Sequence, residues 1–264
     1  QSLDTISGRK SMLHRTQHLL HNTIANWQDW HFGPEEIRAP PTLIRRLTAG
    51  LTNESFLVGN QDFQAVVRVN GHNGLSLGID RQREKMLLGA LNSLSCIPTL
   101  YYSDSNTLVT EYVDGRHPLK EDFADGMIQN QFRNALAAIQ EIEVGHLETR
   151  CYVDYIQLYS DQLSNFDDLS IIEAAAQEID NAHWTPVIAH HDLIPANIIL
   201  NSSGVFFIDW EYSHLGHPLI DYLALFGAEA CSKKADKRLL SALITLNFGI
   251  VKLWHAVQDK TFKT

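Results

Sequence analysis

The sequence predicts an α+β protein with a small β-rich N-terminal part and a larger α-helical C-terminal part. Strand-like segments follow one another closely before residue 113, and helical periodicity dominates residues 121–182. The composition also changes after Asp114-Gly115. We therefore expect one domain over residues 1–113 and a second over residues 114–264, with a hinge near 111–116.

The composition limits the class of function. Apolar residues make up 44% of the 264 residues, which is enough for a real core. The formal net charge of −10 argues against a nucleic-acid binder, which needs a basic surface, and is compatible with a small cationic substrate. The three cysteines form no disulfide framework, so a cytoplasmic location is expected. No apolar run approaches about 18 residues, so no membrane span is expected.

The first expected element is a helix over residues 10–31, where apolar residues recur at helical spacing. His14, His18 and His21 lie on a neighbouring face of this helix. A metal site there is conceivable, but no cysteine or carboxylate accompanies the histidines on that face. A polar helix flank is therefore the favoured interpretation.

A sheet is expected next, because five strand-like segments come before residue 115. A helix over 79–92 interrupts them after the third strand, and a tight turn joins the second strand to the third. The segments are residues 42–48, 55–60, 63–70, 97–104 and 106–115. Their close succession predicts a five-stranded antiparallel sheet.

The stretch AHHDLIPANIIL, residues 189–200, carries the clearest chemistry. Asp192 and Asn197 flank a proline-containing loop that ends in an apolar strand, and the hairpin NSSG then returns the chain. Asp209, at the end of VFFID, should lie beside Asn197. Their oxygens are the hard ligands that Mg²⁺ takes, and Asp192 could accept a proton from a hydroxyl. This arrangement suits phosphoryl transfer.

The pattern H-x-D-x-x-x-x-N in HHDLIPAN, followed by IDWE, resembles the aminoglycoside phosphotransferase and choline kinase superfamily. The resemblance covers about residues 42–258. It implies a protein-kinase-like fold of two lobes, with ATP and Mg²⁺ as cofactors. The choline-kinase-like and thiamine-kinase-like branches are the most similar, because arginine is familiar there at the position of Arg68 in VVRVNG.

The resemblance implies roles for residues of the C-terminal part. Asp192 would be the catalytic base or would orient the hydroxyl, while His190 would fix the loop. Asn197 and Asp209 would coordinate Mg²⁺. Two further acidic residues would lie behind the site or on its substrate side: Glu211 and Asp221.

The same resemblance places the nucleotide in the N-terminal part. Arg68, on the third strand, would contact the phosphates, and Glu84 on the following helix would hold it. Backbone groups of Glu111 and Val113 would read adenine. The loop over 49–55 would cover the nucleotide with backbone N–H groups and with three side chains: Thr52, Asn53 and Ser55.

Plainer interpretations compete with these roles. Asp and Asn favour turns for local hydrogen-bonding reasons, but five roles in the required order favour a catalytic site. His214 and His217 lack further ligands, so a loop role is favoured over a zinc site. Trp254 lies where this superfamily forms its acceptor pocket. Core packing is favoured for it over an aromatic wall for a cation.

The predicted function is an ATP-dependent kinase of a small, cationic alcohol such as choline, ethanolamine or thiamine. An aminoglycoside kinase is the nearest alternative. A catalytically silent kinase-like binding module is a weaker one, since Asp192, Asn197 and Asp209 are all present. A protein kinase is disfavoured, because the segment from Asp209 to Asp221 is too short for a usual activation loop.

Overall fold

The computed structural model describes residues 2–31, 39–49 and 53–261. By its contacts the chain divides into two compact units. The first holds residues 1–74 and 98–113, and the second holds residues 75–97 and 114–264. Each unit has its own apolar core.

The first unit is a helix packed on an antiparallel sheet. Its sheet has five strands in the order β1-β2-β3-β5-β4, with every pairing antiparallel. This confirms the predicted five-stranded sheet. The elements are α1 (Ser2–Ala25), β1 (Thr42–Ala49), β2 (Asn53–Gly59), β3 (Gln64–Asn70), β4 (Leu100–Ser103) and β5 (Thr107–Glu111).

The leading helix begins earlier and ends sooner than the sequence predicted. Helix α1 ends at Ala25, and Trp27–Asp29 form a short 3-10 turn. Its apolar stripe packs on the sheet, where Leu20 is buried in one cluster with Phe56 and Val67. Periodicity thus located the packing face, whereas helix ends depend on local hydrogen bonding that a stripe does not reveal.

Strand β3 separates the apolar core from a polar face. Ala65, Val67 and Val69 are buried in the core beside α1. Because successive side chains of a strand point to opposite faces, Arg68 and Asn70 lie on the other face of the sheet. Both are nonetheless buried, at 6% and 3% exposed.

The second unit is mostly helical and contains two small sheets. Its helices are α2 (Arg81–Leu91), α3 (Gly126–Gln140), α4 (Tyr152–Ser160), α5 (Leu169–Asn181), α6 (Leu219–Cys231) and α7 (Lys237–Thr261). Strand β6 (Val187–Ala189) pairs antiparallel with β9 (His214–Gly216), and β7 (Ile198–Asn201) pairs antiparallel with β8 (Gly204–Phe207). The predicted hairpin at NSSG is therefore present.

Helices α5 and α7 pack closely in the core of the second unit. Gly249 of α7 permits this approach, since a Cβ there would lie 2.6 Å from Cγ1 of Ile172 on α5. Leu246 and Leu253, on the same helix, are fully buried. Among the described residues, α7 is also the one helix long and apolar enough to span a membrane by length and composition, a feature that core helices share.

Candidate active site

The loop singled out by the sequence connects β6 to β7. After β6 ends at Ala189, a 3-10 turn at Pro195–Asn197 leads into β7. Proline suits the start of this turn, because its φ angle is already helical and its missing N–H is not needed there. His191 has a φ of 64°, so the chain bends sharply just before Asp192.

Asp221 holds this loop from behind. Its carboxylate accepts the backbone N–H of His190 at 2.6 Å and that of His191 at 3.0 Å. Asp221 lies in the first turn of α6 and is 2% exposed. Burial raises its pKa to about 6, and the two N–H groups oppose that rise. The structure thus places Asp221 beneath the loop and gives its oxygens backbone partners.

Asn197 positions the carboxyl group of Asp192. Its Nδ2 donates to Oδ2 of Asp192 at 2.8 Å and to the carbonyl oxygen of Asp192 at 2.9 Å. Burial raises the pKa of Asp192 to about 7, and the carboxylates of Glu211 and Asp221 add to the rise. The bond from Asn197 opposes it. A carboxyl group that titrates near neutral pH can gain and lose a proton under ordinary conditions.

His190 links the loop to the strand that precedes Asp209. One ring nitrogen, Nε2, lies 2.9 Å from the carbonyl oxygen of Ile208, and Nδ1 accepts the N–H of Asp192. The ring also packs on Trp210, with centroids 4.6 Å apart. Burial lowers the pKa of His190 to about 4, so the imidazole is neutral at pH 7.

Asp209 follows β8 and lies next to the loop. The N–H of Ile208 donates to the carbonyl oxygen of Asn197 at 2.9 Å. Asp209 is the next residue after Ile208, so this bond brings its backbone close to Asn197. Asp209 has a φ of 63°, and His191 is the only other described non-glycine residue with a positive φ. Such conformations cost on the order of 1–3 kcal/mol and concentrate at functional sites.

An arginine that the sequence analysis did not single out joins two acidic residues. Arg81 Nη1 lies 3.0 Å from Oε2 of Glu84 and 3.0 Å from Oε2 of Glu211. Both carboxylates are 2% exposed. Arg81 therefore connects helix α2 to the turn that follows Asp209. The spacing of Arg81 and Glu84, three residues apart on one helix, is the signal that could have found the pair.

Trp254 and Tyr212 meet through a hydrogen bond. Nε1 of Trp254 donates to the hydroxyl of Tyr212 at 2.8 Å. Tyr212 lies in the same turn as Glu211, whereas Trp254 comes from α7. Trp254 is half-buried and packs at the edge of the core. Trp254 thus packs against the core, as the sequence analysis favoured, and its indole N–H is bonded to the segment that follows Asp209.

In the first unit, polar side chains collect on one face of the sheet. Ser55 lies opposite Arg68, and Asn53 lies opposite Asn70, across the β2–β3 ladder. Nε of Arg68 donates to Oδ1 of Asn70 at 3.2 Å. Asn70 was not predicted, because an asparagine at a strand end looks like an ordinary turn residue. Thr52 lies outside the described residues.

The segment expected to read adenine is only partly open for new hydrogen bonds. The backbone N–H of Glu111 donates to the carbonyl oxygen of Thr99, and the Glu111 carboxylate accepts the Thr99 N–H and hydroxyl. Among the residues the structure describes, the N–H of Val113 has no acceptor. Val113 therefore keeps the donor that this role requires.

A model of the phosphotransferase enzyme family matches residues 43–257 of the chain. A Protein LicA homolog from Mycoplasma capricolum subsp. capricolum is 25% identical over 231 residues, which span 81% of this chain and 89% of that protein. Ethanolamine kinase 2 of Homo sapiens is 27% identical over 212 residues, which span 72% of this chain and 53% of that protein.

Solved structures show the same fold. The choline kinase LicA from Streptococcus pneumoniae has a TM-score of 0.70 at 18% identity, with 94% of this chain and 92% of that chain covered. A structure of LicA in complex with AMP has a TM-score of 0.66 at 20% identity, with 92% and 90% covered. At these identities the likeness concerns the fold, and it confirms the predicted protein-kinase-like class.

Proposed function

Since the chain belongs to the phosphotransferase enzyme family, we propose that it uses ATP and Mg²⁺ to phosphorylate a small cationic alcohol of the choline or ethanolamine type. The protein is a small-molecule phosphotransferase that acts on a hydroxyl group. The resemblance to the superfamily that the motif indicated is thereby confirmed.

The observation that carries the proposal is the environment of Asp192. Its carboxyl group is oriented by Asn197 at 2.8 Å, and its pKa is raised to about 7. In the proposed reaction, Asp192 takes the proton of the acceptor hydroxyl while the hydroxyl oxygen forms a bond to the γ-phosphorus. The bond from that phosphorus to the β-phosphate oxygen breaks, and ADP leaves.

Two features keep the base in place during the reaction. The N–H bonds from His190 and His191 to the buried Asp221 fix the backbone just before Asp192. The neutral ring of His190 accepts the Asp192 N–H and contacts the carbonyl oxygen of Ile208, so it ties the loop to the residue just before Asp209. Preorganisation of this kind lowers the cost of reaching the transition state.

Asn197 and Asp209 are the residues that would hold Mg²⁺. Asn197 directs its Nδ2 to Asp192, so its Oδ1 is the atom left to act as a ligand. Asp209 would add a carboxylate beside it, and such oxygens fit a hard cation. When bound, Mg²⁺ would neutralise charge on the phosphates of the nucleotide.

The nucleotide would bind at the polar face of the sheet in the first unit. Arg68 would contact the phosphates, with Asn70 holding its Nε. Asn53 and Ser55 lie directly opposite these residues on β2. Thr52 stays a prediction from the sequence. The donor of Val113 would read the adenine ring, while the N–H of Glu111 is already taken by Thr99.

A cationic acceptor is favoured by the side chains near the turn after Asp209 and by the named relatives. Glu211 and Tyr212 are neighbours in the turn after Asp209, and Trp254 donates a hydrogen bond to the hydroxyl of Tyr212. An aromatic ring can hold a cation, because the ring face is electronegative. One relative is an ethanolamine kinase and one structural neighbour is a choline kinase, which supports the same class.

The test is a coupled assay of ADP release with Mg·ATP and a panel of acceptors. Choline and ethanolamine should support turnover well above thiamine, homoserine and streptomycin. Trp254→Leu should raise the KM for the acceptor by about tenfold and leave the KM for ATP unchanged. Turnover with streptomycin alone would overturn the acceptor class. No acceptor-dependent turnover with any compound would overturn the proposal as a whole.

A further inference from the structure

A cavity in the second unit has no place in the proposed reaction. It has a volume of about 350 Å³, and none of the residues placed in the candidate active site lines it. Its wall includes Gly78, Arg83, Arg150, Cys151, Tyr155 and His214. The cavity lies next to the chain segment that follows the turn with Glu211, because His214 belongs to β9.

The guanidinium of Arg150 is buried, and the described residues provide no ion-pair partner for it. Arg150 is 5% exposed, and its Nη2 donates to the carbonyl oxygen of Tyr212 at 2.8 Å. Its Nε and Nη1 have no hydrogen-bond partner among the described residues, and no described carboxylate forms an ion pair with it. The ring of Tyr155 lies 4.0 Å from Cζ and supports one face. Burying an unpaired charge is costly, so its donors call for an acceptor.

A second guanidinium lines the same cavity. Arg83 donates from Nε to the carbonyl oxygen of Ser213 at 2.9 Å and from Nη2 to that of Gly78 at 2.8 Å. These acceptors are neutral. Burial and the neighbouring charge of Arg150 lower the pKa of Arg83, while Asp80, Tyr155 and Glu84 act against that fall. Burial and both arginines lower the pKa of His214 to about 3.

The acidic residues of the cavity do not offset this charge. Glu148 and Asp154 line it but are exposed, and in the described part of the chain neither pairs with Arg83 or Arg150. Carboxylates in water screen a buried cation weakly. The interior of the cavity is therefore positive, and its rim carries the negative charges.

We propose that this cavity binds an oxyanion of the phosphate class, either free phosphate or the phosphate of a small monoester, with Arg83 and Arg150 as its ligands. Guanidinium groups match phosphate oxygens in geometry and in charge. The volume of about 350 Å³ exceeds the need of a bare phosphate ion and leaves room for a small organic group. The acidic rim disfavours polyanions such as nucleoside triphosphates.

The site would communicate with the candidate active site through the backbone. Arg150 holds the carbonyl of Tyr212, and Arg83 holds the carbonyl of Ser213. These residues come directly after Glu211. A bound anion would neutralise the repulsion between the two arginines, and the segment from Tyr212 to Ser213 would be held more firmly.

Thermal unfolding of the full chain at pH 7.5, without nucleotide or metal, tests the proposal. Inorganic phosphate or glycerol phosphate at 10 mM should raise Tm by roughly 3 °C relative to sodium chloride of equal ionic strength. Whichever compound gives the larger rise identifies the source of the phosphate. No rise with either compound would overturn the proposal.

Variants locate the binding site. Arg83→Gln and Arg150→Met should each abolish the rise in Tm. If Arg150→Met does not fold, the Arg83→Gln variant alone still tests the site. Arg68→Gln, which removes the cation proposed for the nucleotide phosphates, should keep the rise. So should Arg238→Gln, whose side chain is 82% exposed. A rise that survives Arg83→Gln, or is lost in Arg68→Gln, would contradict the assignment.

Alkylation of Cys151 gives a readout without any variant. Cys151 is exposed and lines the cavity, whereas Cys96 and Cys231 are buried. Phosphate at the same concentration should slow the reaction of Cys151 with iodoacetamide at least about threefold, because a bound anion blocks approach and adds negative charge. An unchanged rate beside a raised Tm would place the phosphate elsewhere.

Discussion

The amide of Asn197 donates to the carboxyl oxygen Oδ2 of Asp192 at 2.8 Å. The bond orients a carboxyl group whose pKa is raised to about 7 by burial. It also directs the amide nitrogen of Asn197 away from the position proposed for Mg²⁺ and leaves the amide oxygen for the metal. The two residues are thus coupled in geometry, and a change at either should alter both proton transfer and metal binding.

Replacement of Asp192 tests the proposed base. Asp192→Asn should lower kcat by about 100- to 10,000-fold, since an amide cannot accept the proton. The Kd for Mg·ATP, measured by calorimetry, should stay within about threefold. In the unmodified enzyme, kcat/KM should rise as the pH passes through about 7, where Asp192 loses its proton. A profile that is flat from pH 6 to 8 would remove Asp192 from this role.

The same carboxyl group should influence stability against pH. Its folded pKa of about 7 lies above the value of about 3.9 for an exposed aspartic acid. The folded state therefore binds this proton more tightly than the unfolded chain does, and its contribution to stability is lost as the pH rises from about 4 to about 7. At pH 8, Asp192→Asn should be more stable than the parent by about 2 kcal/mol, after a discount for partial exposure. Urea denaturation at pH 5 and 8 measures the difference, which should fall to roughly a third at pH 5, because Asp192 is protonated there in the folded state but still mostly ionised in the unfolded chain.

Arg81 should matter for folding more than a surface arginine does. Arg81→Met leaves the buried carboxylates of Glu84 and Glu211 without this partner, so the free energy of unfolding should fall by about 3 kcal/mol. Arg238→Met, the matched control, removes an exposed ion pair with Glu178 and should cost less than about 1 kcal/mol. Adding Glu211→Gln to Arg81→Met should restore part of the loss. Equal losses for the two single variants would contradict a structural role for Arg81.

Gly249 should not tolerate a methyl group. Gly249→Ala places a Cβ 2.6 Å from Ile172, and the resulting overpacking should lower the free energy of unfolding by about 2 kcal/mol despite the better helix propensity of alanine. Gly89→Ala provides the control, because no atom lies within 4 Å of its added Cβ, and it should stabilise α2 by about 0.5–1 kcal/mol. Thermal denaturation of both variants compares them directly. A stabilised Gly249→Ala would show that α5 and α7 are not held at this distance.

The sequence predicted those features that depend on neighbours along the chain. The strands before residue 113 were predicted because alternation of side chains is a local pattern, and their observed pairing confirms the sheet. The loop from Asp192 to Asn197 was predicted for a similar reason. Five residues and a proline leave the chain few conformations, so the two polar side chains meet, as their hydrogen bond shows.

Other parts of the candidate site could not be predicted, because they depend on contacts between distant segments. Asp221 was expected behind the site or on its substrate side, but only the position of α6 places its carboxylate under the N–H groups of His190 and His191. Nothing in the sequence distinguishes Arg81 from other charged residues at a helix start. Only the position of α2 beside the turn with Glu211 brings the two side chains together. Arg150 lies in a loop with no motif, and its burial is visible only in three dimensions.

By itself, then, the sequence determined the fold class and the family resemblance, and it named the residues that we propose carry the chemistry. Composition, periodicity and motif spacing are local properties, and they suffice for these conclusions. The tertiary structure decided the raised pKa of Asp192, the anchoring of its loop by Asp221 and the burial of Arg150. Each of these depends on how much water remains around a group and on which distant groups replace that water, and residue order along the chain does not specify either.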